Sequence, residues 1–400
     1  MDSTEETLLV RLTGHDRPGV TAELFSMLAD HPVEVLDVEQ VVIKGQLVLG
    51  TLLAVDGAKP EELRRAIQRV AAELDLDADI ITGAGDAEQR RRGHLHVTVL
   101  GSPLLPAAMS GIAGRVAACG ANIDRIVRLA RYPVTCLEIE VSGGAPDWLR
   151  TELATEAAAQ HVDVAVQRSG LHRRAKRLVV MDVDSTLVQG EVIEQLADYA
   201  GCAEEVSKVT EAAMRGELDF EESLRERVAL LEGLDESALD EVGRHLRLAP
   251  GARTLVRTLK RLDYRFAIVS GGFTRVTDRL VERLGIDYAA ANTLEVVDGR
   301  LTGRLLGPII DRSGKATALE RFAREAGVDA SQTVAIGDGA NDLDMLASAG
   351  LGIAFNARPV VREAADTAVN VPYLDAILYL LGISRDEVEL ADAEDVAYID

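Results

Sequence analysis

Val179-Val-Met-Asp-Val-Asp-Ser-Thr-Leu187 places two carboxylates, Asp182 and Asp184, at the end of an apolar run that begins at Leu178. A short, unbroken apolar run is the pattern of a parallel strand buried on both faces. Residues two apart on a strand point to the same side, so Asp182 and Asp184 share a side unless the chain bends between them. Ligand sites in such sheets lie beyond the carboxyl ends of the strands. Two carboxylates there can hold Mg²⁺ through hard oxygen ligands, or act as nucleophile and general acid. The same residues also suit a strand end followed by a helix cap built from Ser185 and Thr186.

Working outward, Phe266–Val269, Thr333–Ile336 and Leu351–Phe355 are similar short runs, each followed by glycine or polar residues. Helical spacing lies between most of them. After Lys315, for example, Leu319, Phe322, Ala323 and Ala326 recur on one face until Gly327. The alternation predicts a doubly wound, Rossmann-like α/β domain with a parallel sheet. From Val188 to Pro250 no strand is evident, and that stretch reads as a helical insert. Leu294–Val297 and Arg300–Leu305 flank Asp298-Gly299, a hairpin signal. The stretch after Arg385 is acidic and polar and reads as a frayed tail.

The first half reads as a duplication. Leu8–Thr13 is a strand, Gly14-His-Asp-Arg-Pro-Gly19 a loop, and Val20–Ala29 a helix, followed by strands at Val33–Val42 and Gln46–Val55. The order returns with His94–Leu100, Ala107–Cys119, Ile123–Leu129 and Val134–Val141. Gly14 aligns with Gly101 and Asp37 with Asp124 at one offset. A period this long predicts two copies of a small α+β domain, each with the βαββ opening of a ferredoxin-like fold. Domain boundaries follow at 1–85, 94–168 and 177–385, with the insert at about 188–250 and the tail at 386–400. The basic stretches Asp86–Gly93 and Gly170–Lys176 read as solvated joints.

With 43 Lys and Arg against 66 Asp and Glu, the net charge is −23. Such a chain repels nucleic-acid backbones and anionic membranes, but a locally basic pocket can still take a small anion. No apolar run reaches the ~18 residues of a membrane span. The acidic start, Met1–Glu6, lacks the features of a signal peptide, and Cys119, Cys136 and Cys202 are widely spaced. A reducing cytoplasm is the expected setting.

Three further segments bear on chemistry. Ile268-Val-Ser-Gly-Gly-Phe273 ends a strand with a hydroxyl and two glycines that let backbone N–H groups approach a ligand. Gly314-Lys315-Ala316 opens a helix, where the dipole and a cation both favour phosphate. Ile336-Gly-Asp-Gly-Ala-Asn-Asp342 ends another strand, and Asp338 and Asp342 can complete an oxygen-rich metal site. Singly, each also reads as a turn or a cap.

In this order the four segments resemble the motifs of the haloacid dehalogenase superfamily of phosphohydrolases. With Glu191, Met214, Phe220 and Arg227, the stretch from about Arg177 to Ile383 resembles its phosphoserine phosphatases. The resemblance implies Asp182 as nucleophile and Asp184 as general acid and base. It implies Mg²⁺ on Asp182, the Asp184 carbonyl and Asp338. Phosphate falls to Ser270, Gly271 and Lys315, with Asn341 and Asp342 in support. Arg227 and Glu191 clamp the zwitterion of phosphoserine, and Met214 and Phe220 form apolar walls. The Asp298-Gly299 hairpin is expected at the rim.

The front half resembles the ACT domain, a sensor that often binds amino acids. That implies a regulatory site at Gly14, Asp16 and Gly19, with L-serine as a candidate ligand, and a homodimer. Asp16 also suits a helix cap. The second copy has Gly101-Ser-Pro-Leu-Leu-Pro106 in the matching place, without the Asp and the closing Gly, which points to a dimerisation surface. Two other functions fit the same residues: hydrolysis or transfer of another small phosphate ester, or an inert phosphatase half in an amino-acid sensor. Retention of Asp182, Asp184, Ser270, Lys315 and Asp338 argues against the second.

Overall fold

The computed structural model describes residues 6–55, 59–84, 95–170, 173, 175–215 and 217–397. The chain divides into two compact units, Met1–Arg92 and Gly93–Asp400.

The first unit runs β1 (Glu6–His15), α1 (Val20–Leu28), β2 (Glu34–Ile43), β3 (Gln46–Ala54), α2 (Pro60–Glu73) and β4 (Leu76–Ala84). Its antiparallel sheet has the order β2-β3-β1-β4. Period-two alternation drives the fold: Leu8, Val10 and Leu12 of β1, with Leu47, Leu49 and Leu53 of β3, bury against Leu24, Leu63 and Ile67 of the helices.

The second unit opens with the same element order: β5 (Leu95–Gly101), α3 (Pro106–Ala118), β6 (Ala121–Ala130), β7 (Thr135–Gly143), α4 (Pro146–Gln160) and β8 (Asp163–Arg168). The sheet order is β6-β7-β5-β8, the equivalent of the first copy. Leu95, Val97 and Val99 face Ile112, Leu149 and Leu153 of its helices. Leu100, Cys136 and Ala165, on the opposite face, belong to the large core of the domain that follows. This face of the second sheet is therefore buried within the chain, whereas Leu105 in the loop after β5 is exposed.

That domain begins with β9 (Leu178–Asp182) and a tight turn at Val183–Leu187. A helical insert follows as α5 (Val192–Ala200), α6 (Ala203–Met214), α7 (Phe220–Ala229) and α8 (Ser237–His245). The rest comprises α9 (Ala252–Arg261), β10 (Arg265–Phe273), α10 (Thr274–Leu284), β11 (Tyr288–Val297), β12 (Arg300–Leu306), α11 (Arg312–Ala326), β13 (Thr333–Gly337), α12 (Leu343–Ser348), β14 (Gly352–Phe355), α13 (Pro359–Ala364), β15 (Thr367–Val369), α14 (Ile377–Leu380) and α15 (Arg385–Ala397). The seven-stranded sheet has the order β12-β11-β10-β9-β13-β14-β15, parallel except for β12. Strand order reverses at β9, so Asp182 stands at the topological switch point. Leu178 and Val180 of β9 pack with Leu319 and Phe322 of α11, while Val179 and Met181 join Leu255 and Leu259 of α9. The two connections to the insert run side by side, with Gln189 N–H donating to Arg247 O (2.8 Å) and Ala249 N–H to Leu187 O (2.9 Å).

Three expectations are corrected here. Through Ala397 the acidic stretch after Arg385 is a helix, α15, not a frayed tail: Val388 is buried and Asp392 pairs with Arg257 and, at 2.7 Å, with Arg261. In the second basic joint, Arg173 and Lys176 are buried rather than solvated; Arg173 pairs with Glu138, and Lys176 donates to Ser331 O at 2.6 Å. The Asp298-Gly299 hairpin does not line the cavity described below. It braces the insert instead, through Gly233 N–H to Leu301 O (2.8 Å) and Glu236 N–H to Gly299 O (2.9 Å). The first joint, Asp86–Gly93, lies outside the described residues. Among the described residues, no helix is long and apolar enough to cross a membrane. Cys119, Cys136 and Cys202 are unpaired.

Candidate active site

A cavity of about 680 Å³ opens at the carboxyl end of the parallel sheet, under the helical insert. β9 and its turn supply Asp182 and Asp184, β10 supplies Gly271, α11 supplies Lys315, and the loop after β13 supplies Asp338 and Asn341. The insert supplies Glu191, Phe220 and Arg227. Met214 ends α6, and its side chain lies outside the described residues.

Lys315 is the hub. The N-cap of α11, Asp311, accepts from Gly314 N–H at 2.7 Å and fixes the helix start. Lys315, in that first turn, is fully buried and donates to Asp182 Oδ1 at 2.5 Å and to Asp342 Oδ1 at 2.7 Å. Burial alone would lower its pKa, but the two carboxylates outweigh that and hold it above the ordinary lysine value. Asp342 also accepts from Gly339 N–H at 3.0 Å, so both its oxygens are engaged. At Gly337 a Cβ would lie 2.4 Å from the Asp342 carboxyl carbon, which leaves only glycine at this position.

Burial and the nearby Asp342 push the Asp182 carboxyl well above the usual range, while Lys315 opposes them. Asp338 is raised by burial even though Thr186 donates its hydroxyl to Asp338 Oδ1 at 2.7 Å. Thr186 is thus not a helix cap. It ties the turn after β9 to the loop after β13. Oxygens of Asp182, Asp338 and Asp342 lie within 4.8 Å of one another. Clustered carboxylates that offer only oxygen donors fit a hard divalent cation. Asp342 is committed to Lys315 and Gly339, leaving Asp182 and Asp338 as the open donors.

Asp184 is set apart by the turn, where Ser185 sits in the left-handed region at φ 58°. Its Oδ1 accepts from Val192 N–H at 2.8 Å and its Oδ2 from Ser270 Oγ at 3.1 Å. Burial raises its pKa despite these donors. Both its oxygens are thus engaged by Val192 and Ser270, and Ser270 is buried and accepts from Gly272 N–H at 2.8 Å. The Phe220 ring closes over Gly271, where a Cβ would come within 3.1 Å of it.

On the insert, Glu191 is the N-cap residue of α5 and accepts from Ser185 Oγ at 3.3 Å. Burial and the charges of Asp184, Asp338 and Glu194 raise its pKa to about 7. Arg227 is half-buried, whereas its neighbours Arg225 and Glu226 are exposed. Its Nε donates to Ser223 O at 3.2 Å, one turn back in α7. The sequence reading missed Arg312, Arg358, Glu194 and Thr210, which also line the cavity. A lone arginine before a proline, or in a helix turn that also carries a motif lysine, has no local signature.

In the first unit, Asp16 and Gly19 lie in the loop from β1 to α1, and Gly14 is the next-to-last residue of β1, paired with Leu47 and Leu76. Gly19 is the N-cap of α1 with φ 100°, and no side chain caps that helix, so Asp16 is not a cap. A Cβ at Gly14 would lie 2.5 Å from Leu76 Cδ2.

Comparison with known proteins agrees with this geometry. Residues 179–347 match the haloacid dehalogenase-like hydrolase family, and residues 6–80 and 93–167 each match the ACT domain. A phosphoserine phosphatase of Streptomyces coelicolor is 63% identical over 96% of this chain and 94% of its own length. The phosphoserine phosphatase SerB2 of Mycobacterium tuberculosis is 52% identical over 97% of this chain and 96% of its own. Among solved structures, a probable phosphoserine phosphatase from Vibrio cholerae is 35% identical with a TM-score of 0.58, covering 74% of this chain and 88% of that one. A hydrolase of the haloacid dehalogenase family from Salmonella enterica is 26% identical with a TM-score of 0.62, covering 72% of this chain and 98% of that one. With such relatives along nearly its whole length, and with the carboxylate–lysine cluster at the switch point, the chain belongs to the phosphoserine phosphatases of the haloacid dehalogenase-like hydrolases, the branch with two ACT domains ahead of the catalytic domain.

Proposed function

We propose that this chain hydrolyses O-phospho-L-serine to L-serine and phosphate through an aspartyl-phosphate on Asp182, with Mg²⁺ as cofactor. The observation that carries the reading is one cavity with two walls. One bears Asp182, Lys315 and Asp338, and the other bears Glu191 and Arg227. A phosphate fits the first, and an amino-acid zwitterion fits the second.

In this reading Asp182 attacks phosphorus in line, and the serine oxygen leaves as Asp184 gives it a proton. The raised pKa of Asp184 favours the protonated form that this step needs. Lys315, the Gly271 N–H and Ser270 hold the non-bridging oxygens as charge redistributes. Ser270 reaches them by releasing Asp184. Asp184, now ionised, takes a proton from the water that cleaves the aspartyl-phosphate. Asp342 keeps Lys315 in place, and Asn341 borders the phosphate end. Asp182, Asp338 and the Asp184 carbonyl would hold Mg²⁺, whose charge favours ionised Asp182 and offsets its repulsion from the phosphate dianion. Arg227 grips the substrate carboxylate, Glu191 accepts from its ammonium, and Phe220 excludes water.

The first ACT domain is read as the regulatory site, with L-serine held between Asp16 and the uncapped start of α1. A homodimer is inferred from β2, an edge strand with Val35, Leu36, Val38, Val41, Val42 and Ile43 all exposed. Three unpaired cysteines suit a reducing cytoplasm.

The deciding experiment is phosphate release from L-phosphoserine with and without Mg²⁺, on wild type beside Asp182→Asn. Metal-dependent release that falls by at least about 10³-fold in the variant is expected. No release from wild type would sink the substrate assignment.

A further inference from the structure

The second ACT domain makes a polar contact with the phosphatase domain that converges on one carboxylate. Asp163, the first residue of β8, is buried. Its Oδ2 accepts from Asn370 N–H at 2.7 Å and Val371 N–H at 3.2 Å, and its Oδ1 accepts from Asn370 Nδ2 at 2.6 Å. These donors follow directly on β15, the edge strand of the large sheet. Apolar contacts seal the site: Leu100, Cys136 and Ala165 share a core with Val369, Ile377 and Tyr379. Gln167 Nε2 adds a bond to Leu380 O at 2.9 Å.

From β15 the path to the active site is short. β15 pairs with β14 through Phe355 and Val369, and Asn356 N–H donates to Val369 O at 2.9 Å. Two residues on, Arg358 lines the catalytic cavity, as Lys315 and Arg312 also do. Its backbone has little freedom. It is extended at φ −64°, ψ 154°, and is followed by Pro359, which excludes the helical alternative. Only the buried Ala357 separates Asn356 from Arg358, so the link from the β14–β15 ends to the cavity is two residues long. In a chain of net charge −23, a cation at the mouth of a phosphate pocket matters for capturing a dianion.

We propose that Arg358 binds the phosphate group of the substrate, and that Asp163 is a positioning residue that sets Arg358 through β15. The second ACT domain is then a working part of the phosphatase rather than a second sensor. The inference rests on the reading of the cavity as a phosphate-ester site.

The test is a double-substitution cycle on the full chain with Mg²⁺, using Asp163→Asn, Arg358→Ala and the pair. An asparagine at 163 takes away the negative charge on which three N–H donors converge, so it weakens the clasp with almost no change in volume. Two quantities are read: the Kd of inorganic phosphate by calorimetry, and KM and kcat for phosphoserine. Each single substitution is expected to weaken phosphate binding and raise KM about three- to ten-fold, with kcat changed less. The pair should be no worse than Arg358→Ala alone. If Asp163→Asn does not fold, Asn370→Ala, which removes only the side-chain donor, takes its place in the cycle. The proposal is overturned if the clasp variant lowers the melting temperature but leaves phosphate Kd and KM at wild-type values, or if the two effects multiply. Phosphate binding needs no turnover. A wild type that binds phosphate but leaves phosphoserine intact would therefore refute the substrate assignment alone.

Discussion

Lys315 Nζ lies 2.5 Å from Asp182 Oδ1, and both side chains are buried. The pair is held by its surroundings, because Asp342 takes a second Lys315 hydrogen at 2.7 Å. Taking one partner from a buried ion cluster leaves the others uncompensated, which costs about 3–5 kcal/mol. Lys315→Met keeps the aliphatic volume and removes the charge. It should abolish phosphate release and destabilise the protein by roughly that amount, as read by chemical denaturation in EDTA. A variant of unchanged stability would mean that the cluster does not depend on the Lys315 charge for its place in the folded protein.

Arg227 should divide substrates by their head groups. It is half-buried on the insert wall, and burial lowers its pKa while the charges of Glu191 and Asp184 oppose that. Arg227→Ala should cut kcat/KM for phosphoserine by about 10²-fold, the scale of a lost bidentate charged contact. For an aryl phosphate with no amino-acid group the loss should be within about three-fold. Equal losses on both substrates would place Arg227 in the general architecture of the cavity and not in recognition.

What could be read from the sequence depended on how local each signal was. Asp182 and Asp184 end an apolar run, Lys315 opens a helix after a glycine, and Asp338 and Asp342 stand among small residues. Each carries its context with it. Thr186 and Asp338 are 152 residues apart, and only the parallel pairing of β9 with β13 brings them to 2.7 Å. Arg173 and Lys176 looked solvated because composition reports charge and not partners; Glu138 and the Ser331 carbonyl come from distant elements. The acidic α15 was hidden for the same reason, since the arginines that hold Asp392 lie on α9. Arg358 reaches the cavity by virtue of strand order, which no spacing encodes.

Asp16 gives a test of regulation separate from catalysis. It is half-buried in the loop before α1, its N–H bonded to Gly45 O at 2.8 Å, and the helix start beyond it has no side-chain cap. A ligand ammonium would meet the carboxylate and a ligand carboxylate the helix N–H groups. Asp16→Ala should weaken L-serine binding by at least about ten-fold in calorimetry and shift any serine effect on rate to higher concentration. Wild-type serine affinity in the variant would move the ligand elsewhere.

Glu191 makes the site sensitive to pH in a direction that can be worked out. Burial, with Asp184, Asp338 and Glu194 nearby, raises its pKa to about 7 from the ordinary glutamate value of 4.5. A carboxyl raised in the folded state favours its neutral form there. Its contribution to stability is present in full below pH 4.5 and is lost as pH rises through about 7. The ligand-free protein should therefore carry a destabilising carboxylate above pH 7, and Glu191→Gln should raise the melting temperature by a few degrees at pH 8 and by little at pH 4.5. Recognition runs the opposite way, because an ammonium needs the anion. In wild type, kcat/KM for phosphoserine should climb through a limb near pH 7, and this limb should vanish in Glu191→Gln at a lower overall value. A limb that persists in the variant would assign the titration to another group. A melting temperature raised equally at both pH values would mean that the substitution acts by packing and not by charge.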